Sequence, residues 1–243
     1  MIAGFASTQL NYSAICQYGG TCPTTEVVDL IAVLTLIMGL SGFSRLGLKA
    51  VAAVGLIAWA ASVAVGFAML ARYKSAPGAQ GGVPPHWPTE TRIARGKKLS
   101  LVLFAHPYCP CTRASLSQLR ESLSSATDEV RTSVVFLQPD GDAEAVRRSS
   151  LWTSAVSIPG VDVVLDETGA EAARFGGQTS GHLVVYDAAG NLRFAGGLTA
   201  SRGHLGDSAG KEQVLALIRG GAVTATAAVA ATFGCSLEDV WTQ

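Results

Sequence analysis

The sequence is short of charge. Only 15% of its 243 residues are charged and 49% are hydrophobic, and 18 Lys and Arg balance 18 Asp and Glu. Proteins that bind nucleic acid usually carry a basic patch or stripe, so the zero net charge predicts no nucleic-acid partner. The apolar residues concentrate in the first third of the chain, which favours one soluble domain joined to a membrane portion.

The five cysteines lack the spacing of a structural zinc site, because neither CxxC nor HxxxH occurs. Their odd number leaves at least one unpaired or otherwise used. Cys16 and Cys22 have no flanking motif, and their role is open. Cys235 is either a third redox thiol or a buried side chain, and the sequence leaves both alternatives open.

No positively charged region precedes an apolar core at the start of the chain, so a standard cleaved signal peptide does not fit. We interpret residues 1–26 as a polar leader and residues 27–73 as a membrane region. Residues 50–71 are uncharged over 22 positions and predict a transmembrane helix. Residues 30–44 are shorter than the roughly 20 residues of a spanning helix, so we leave open whether they cross the membrane.

The charges beside these apolar segments predict their orientation. Arg45 and Lys49 come before the predicted helix, and the positive-inside rule places them in the cytoplasm. The domain after residue 72 then faces the periplasm. Residues 74–98 are dense in Pro and Gly and read as a tether.

The chain is organised around residues 99–123. An apolar strand predicted at 101–105 ends at a His-Pro pair, and Cys109 and Cys111 follow with only a proline between them. A helix then begins, with leucines at the spacing of one helical face. The first turn of a helix exposes free N–H groups and favours a thiolate. We therefore predict that Cys109 is a nucleophile, although a structural disulfide is the alternative.

Further elements alternate through the predicted domain, residues 99–220, and residues 221–243 form a C-terminal tail. The predicted strands and helices are as follows: strands at 132–137, 161–166, 182–187 and 192–195, and helices at 143–156, 169–175 and 209–219. Strands alternating with helices, followed by a hairpin and a final helix, indicate a central mixed sheet with helices on both faces.

This order, with a close cysteine pair after the first central strand, resembles the thioredoxin-like superfamily. The strings FAHPYCPCTRASL, GGLTASRGHLGDSAG and FGCSL are similar to membrane-anchored RedB-like chains, within the extracytoplasmic branch that includes TlpA-type and Sco-type proteins. The resemblance covers roughly residues 50–238. It implies a thioredoxin-like fold after one or two transmembrane helices, and thiol-disulfide chemistry on protein substrates.

Two departures from the superfamily pattern affect this implication. One residue instead of two separates the cysteines, and a disulfide across so short a gap is strained and readily reduced. Residues 179–182, Thr-Ser-Gly-His, contain no proline where thioredoxins place a cis-proline before the hairpin. Substrate positioning by that proline is therefore not implied.

Three functions remain open. The first is a membrane-anchored thiol-disulfide oxidoreductase without a cofactor, in which Cys109 attacks and Cys111 resolves. The second is a Sco-like copper-binding or copper-delivery protein using Cys109, Cys111 and His182, since two thiolates and an imidazole suit Cu(I). The third, a peroxiredoxin, ranks last because no Pro-x-x-x-Thr-x-x-Cys arrangement occurs.

Overall fold

The structure is a computed structural model, and it describes residues 45–124, 130–138, 141–220 and 227–237. The predicted leader and the segment 30–44, with Cys16 and Cys22, lie outside the described residues. Contacts divide the chain into two compact units, Met1–Ser62 and Val63–Gln243.

A long apolar helix, α1, spans Arg45–Ser75. Within Gly47–Ser75 a window of 18 residues has a mean hydropathy of 2.1, and this is the one helix among the described residues long and apolar enough to cross a membrane. The helix is longer at both ends than the predicted 50–71. The basic residues beside the apolar run extend the helix because they are good helix formers. Arg72 and Lys74 also stabilise the last turn, since their positive charges lie at the negative end of the helix dipole.

A six-stranded mixed sheet forms the core, with the strand order β3-β2-β1-β4-β5-β6. Its strands are β1 Leu99–Ala105, β2 Val130–Leu137, β3 Val161–Asp166, β4 His182–Asp187, β5 Leu192–Gly197 and β6 Ala228–Val229. β1 pairs in parallel with β2 and β2 with β3, whereas β4 is antiparallel to both β1 and β5. All seven residues of β1 are buried, which fits an apolar strand at the centre of a covered sheet.

Helices cover both faces of the sheet. They are α2 Pro110–Leu123, α3 Ala143–Arg148, α4 Ser150–Val156, α5 Ala170–Arg174 and α6 Ala209–Ile218. Alternate residues of β1 point to opposite faces. Leu101 and Leu103 share a core with residues of α2, α3, α4 and α6, while Val102 and Phe104 share the other core with α5.

This topology confirms the predicted thioredoxin-like fold class. A parallel β1-α2-β2 unit lies beside the antiparallel β4-β5 hairpin, and α6 follows the hairpin. One predicted element differs, because the helix expected at 143–156 is broken at Ser149. That residue is extended, with φ −65° and ψ 146°, and its side chain accepts a hydrogen bond from the backbone N–H of Trp152. Ser149 thus acts as the N-cap of a new helix.

The segment predicted as a tether packs against the sheet over residues 76–93, which we call the strap. Trp87 donates its backbone N–H to the Gly190 carbonyl, and its ring lies edge-on to Phe175 and Tyr186, with centroids 5.1 and 5.3 Å away. Ile93 is also buried. Aromatic packing of this kind stabilises beyond the burial of area alone, so the strap is part of the folded domain.

Residues 227–237, which we call the tail, also pack beyond the predicted domain boundary at 220. β6 adds a short parallel strand to β5. The tail then runs antiparallel to the loop before β4: Ser180 donates its backbone N–H to the Cys235 carbonyl, and Leu237 donates its own to the Gln178 carbonyl. These backbone contacts bring Cys235 to the end of β1, where the predicted site lies.

Candidate active site

Cys109 lies at the junction between β1 and α2. It is the N-cap residue of α2, has an extended backbone and is followed by Pro110 in the first helical turn. Proline suits that position because it has no N–H to leave unpaired and its φ is already helical. The Cys109 side chain is only 1% exposed. The structure thus contains the predicted strand-to-helix turn, and the Cys109 sulfur in that turn is buried.

The thiol of Cys235 contacts the Cys109 sulfur. The two Sγ atoms are 2.8 Å apart, and both residues are free cysteines. The hydrogen bond from Cys235, with backbone N–H groups of Cys235, Cys111 and Thr112, lowers the pKa of Cys109 to about 5, although burial raises it. The same hydrogen bond, together with burial, raises the pKa of Cys235. At neutral pH Cys109 is therefore a thiolate, and Cys235 holds the proton.

Cys111 is partly exposed and lies one residue inside α2. Burial, followed by the charge of Cys109 and a hydrogen bond with it, raises the pKa of Cys111. The charge of Arg202 acts in the opposite direction. Cys111 is thus the more accessible but less ionised member of the Cys-Pro-Cys motif.

Ser180 fixes the loop that faces the cysteines. Its hydroxyl accepts a hydrogen bond from the backbone N–H of His106 at 2.9 Å, and its oxygen lies 2.7 Å from the Thr112 hydroxyl oxygen. Gly181, at φ +91°, donates its backbone N–H to the Phe104 carbonyl. The loop is therefore tied to β1 and α2 without the cis-proline of thioredoxins, and no cis peptide bond occurs among the described residues.

Arg202 connects the tail to the last turn of α1. Its guanidinium donates hydrogen bonds to the carbonyls of Gly234 and Tyr73, and it lies 4.9 Å from the centroid of the Tyr73 ring. Its charge lowers the pKa of both Cys111 and Cys235. Arg202 is therefore a cation next to these two thiols, although their pKa values stay raised.

His182 lies apart from this chemistry. It begins β4, is 1% exposed, and its Nδ1 lies 3.2 Å from the Thr232 hydroxyl oxygen. Burial lowers the pKa of His182 to about 4, so the ring is neutral. Within the described part of the chain, no group of three or more His, Cys, Asp or Glu residues could hold a metal ion. The three donors of the copper hypothesis are therefore not gathered into a metal site.

Sequence reasoning named Cys109 and Cys111 as site residues and left Cys235 open between a redox thiol and a buried side chain. Cys235 had only two signals, the odd number of cysteines and the FGCSL string. Arg202 lies within the GGLTASRGHLGDSAG string and Ser180 within residues 179–182, but neither pattern assigns its side chain a role. Their contacts join residues 32 or more positions apart, which local periodicity does not encode.

No protein-family model matches the chain, and no curated protein matches its sequence. Among solved structures, it is similar to an uncharacterized conserved protein from Geobacillus kaustophilus, with 17% identity, a TM-score of 0.45, and coverage of 67% of this chain and 92% of that chain. It is also similar to a secreted disulfide oxidoreductase of Mycobacterium tuberculosis, with 14% identity, a TM-score of 0.37, and coverage of 51% and 83%. The exposed lipoprotein thioredoxin of Streptococcus pneumoniae has 17% identity, a TM-score of 0.37, and coverage of 57% and 99%. The fold class itself follows from the strand order and pairing described above.

Proposed function

We propose that the chain is a membrane-anchored, extracytoplasmic thiol-disulfide oxidoreductase acting on protein thiols and disulfides. The observation that carries this function is the placement of the Cys109 sulfur at the N-terminus of α2, 2.8 Å from the Cys235 sulfur, where its pKa is lowered. The thiolate is the form of cysteine that attacks a disulfide. This chemistry needs no organic cofactor, because the sulfurs themselves carry the electrons.

In the proposed reaction the Cys109 thiolate attacks one sulfur of a substrate disulfide. A mixed disulfide forms, the substrate S–S bond breaks, and the released thiolate takes up a proton. A second thiol of the site then attacks the mixed disulfide and releases the other substrate thiol. The sequence pattern gives this second role to Cys111, its neighbour in the Cys-Pro-Cys motif. Two electrons pass from the protein to the substrate, with one proton from the second thiol and one from solvent.

Membrane anchoring and family placement belong to the same proposal. The length and apolarity of α1 support a membrane anchor, and the cations near its start support a periplasmic domain. The strings shared with RedB-like chains favour that branch of the thioredoxin-like superfamily. Protease treatment of intact spheroplasts tests the topology: residues 99–220 should be digested, and their protection would contradict the orientation.

Disulfide exchange by the full chain in detergent tests the activity. With an external dithiol as reductant and a disulfide-containing protein as substrate, the wild-type chain should turn over. Cys109→Ser should lose at least about 100-fold in rate, because no other thiol of the site is ionised at neutral pH. Cys22→Ser is the matched control and should keep the wild-type rate. Equal rates in Cys109→Ser and wild type would contradict the proposal.

A Cu(I) titration separates this function from copper delivery. Competition against a Cu(I) chelator, run on wild type and His182→Ala, should give weak binding that does not depend on His182. Tight binding lost in His182→Ala, together with no exchange activity, would overturn the oxidoreductase in favour of the copper protein.

A further inference from the structure

Three thiols meet at the proposed redox centre, although an intramolecular disulfide joins only two. A disulfide that includes Cys109, the exchanging sulfur of the proposed function, joins it to either Cys111 or Cys235. The two partners differ in how the fold presents them. Cys111 is part of the same helix start, whereas the tail brings Cys235 from 126 residues away.

The helix start disfavours the pair Cys109–Cys111. Cys111 also makes a hydrogen bond with the Cys109 sulfur, but the ring that a Cys109–Cys111 disulfide closes has only Pro110 between its two cysteines. Proline also fixes its own φ, so the turn has little freedom to adjust. Disulfides that depart from their preferred geometry store strain and are easily reduced.

The tail favours the pair Cys109–Cys235. Their Sγ atoms are 2.8 Å apart, less than about 1 Å beyond the length of an S–S bond. The tail holds this position through main-chain pairing with the loop before β4, from Ser180 to the Cys235 carbonyl and from Leu237 to the Gln178 carbonyl. Gly234 is required there, because a Cβ on it would lie 1.9 Å from the Ser180 carbonyl oxygen.

The proton arrangement also suits Cys235 for the second step. Its thiol keeps a proton because it donates to the Cys109 thiolate and lies in the field of that charge. When Cys109 enters a mixed disulfide, the negative charge and the strong acceptor both disappear. Cys235 then ionises more readily, so it becomes a nucleophile only after Cys109 has reacted.

From this geometry we infer that Cys235, not Cys111, is the resolving thiol, and that the redox-active disulfide joins Cys109 to Cys235. The inference rests on the proposed function in taking Cys109 as the exchanging sulfur. The Cys235 thiolate attacks the Cys109 sulfur of the mixed disulfide, the Cys109–Cys235 bond forms, and the substrate sulfur leaves as a thiolate that takes the proton of Cys235. An external dithiol then reduces the new disulfide by the same exchange.

Tryptic mapping of the full chain in detergent tests which disulfide forms. Trypsin leaves Cys109 and Cys111 together on residues 99–113 and Cys235 alone on residues 220–243. After equilibration in glutathione buffers of stepped potential, the wild type should show the two peptides joined. Cys111→Ser should keep this linkage with an equilibrium constant within about threefold of wild type. Cys235→Ser should lose it and accumulate glutathione on Cys109.

Gly234→Ala provides a second test that keeps every cysteine. The added methyl group clashes with the Ser180 carbonyl, so the linkage should become at least about tenfold less favourable against glutathione. Gly82→Ala is the matched control, because a Cβ there meets nothing within 4 Å, and it should behave as wild type.

The inference would be overturned by a disulfide within residues 99–113 that persists in Cys235→Ser with the wild-type equilibrium constant. A Gly234→Ala chain that keeps the wild-type linkage equilibrium would overturn it as well. These outcomes are separate from failure of the proposed function. That function fails if exchange activity does not depend on Cys109, whatever disulfide is mapped.

Discussion

The strap and the tail both join the thioredoxin-like domain from outside its predicted boundaries, but they are attached differently. The strap combines main-chain hydrogen bonds, such as the one from Trp87 to the Gly190 carbonyl, with side-chain packing. Trp87 lies against two aromatic rings, and Thr91 donates a hydrogen bond to the buried carboxylate of Glu171. The tail is held by main-chain hydrogen bonds to residues 178–180, by a two-residue strand and by the buried side chain of Leu237. Buried aromatic contacts carry more free energy than a few exchangeable hydrogen bonds. The strap therefore serves stability, and the tail serves the chemistry of Cys109.

The largest expected effect comes from removing the thiol that the tail provides. The pKa of Cys109 is lowered to about 5 chiefly by the hydrogen bond from Cys235, so the reduced chain should show a thiolate step with its midpoint near pH 5 and the thiolate present above it. In Cys235→Ala the midpoint should rise toward the ordinary value of 9.0. Ultraviolet absorbance of the thiolate measures both curves.

Cys109→Ser is the control for that titration and should lack the acidic step. A step that survives in Cys109→Ser would assign the low pKa to another group. A midpoint unchanged in Cys235→Ala would mean that the tail does not tune the site.

Trp87→Ala should destabilise the domain by about 3 kcal/mol, since it removes a large ring from an aromatic cluster. Denaturant unfolding followed by circular dichroism measures the change, with Val156→Ala as a control. Val156 is 58% exposed, so its loss should cost less than about 0.5 kcal/mol. Folded Trp87→Ala should still form the Cys109–Cys235 linkage; a wild-type stability, or a lost linkage in the folded protein, would break the distinction between strap and tail.

His182 of β4 contacts the tail, because its Nδ1 lies 3.2 Å from the Thr232 hydroxyl oxygen. Burial lowers its pKa from 6.5 to about 4, so the folded state resists protonation. Its contribution to stability is complete above about pH 6.5 and is lost as the pH falls toward 4. Unfolding measured at pH 7.5 and pH 5 should differ by about 2 kcal/mol on this account.

In His182→Gln that part of the pH dependence should disappear, whatever the overall stability of the variant, while the part that the Cys109 thiolate contributes should stay. The slope with pH is therefore the readout. Equal slopes in wild type and His182→Gln would show that other groups govern acid sensitivity.

Much of the sheet could be predicted because its signals are local. The runs at 161–166 and 182–187 became β3 and β4 with the predicted bounds, since short apolar segments between turn residues are typical of covered strands. The strap was missed because Pro and Gly composition indicates flexibility, while a single tryptophan and isoleucine supply the packing. Ser149 divided a helix because its hydroxyl caps the following turn.

Only the part of the site with local sequence signals could be predicted. Cys109 precedes a helix in the sequence, so its electrostatic setting is encoded nearby. Cys235 reaches it through main-chain hydrogen bonds, which any residue except proline can donate. Such pairing leaves no side-chain pattern in the sequence. The sequence therefore assigned the resolving role to Cys111, the cysteine nearest to Cys109. Whether Cys111 takes part in exchange stays a prediction.

The smallest expected effect concerns Arg202, which bonds to the tail carbonyl of Gly234 and whose charge lowers the pKa of Cys111. In Arg202→Gln the pKa of Cys111 should rise, and its alkylation at neutral pH should slow by less than about tenfold, because a partly exposed charge is screened by solvent. Arg202→Lys keeps the charge and should restore much of the rate. Tandem mass spectrometry of residues 99–113 separates the two sulfurs at the bond before Pro110. Equal slowing in Arg202→Gln and Arg202→Lys would mean that Arg202 acts through its hydrogen bonds and not through its charge. Cys235 would then be the only residue supporting the contrast between a stabilising strap and an electrostatically active tail.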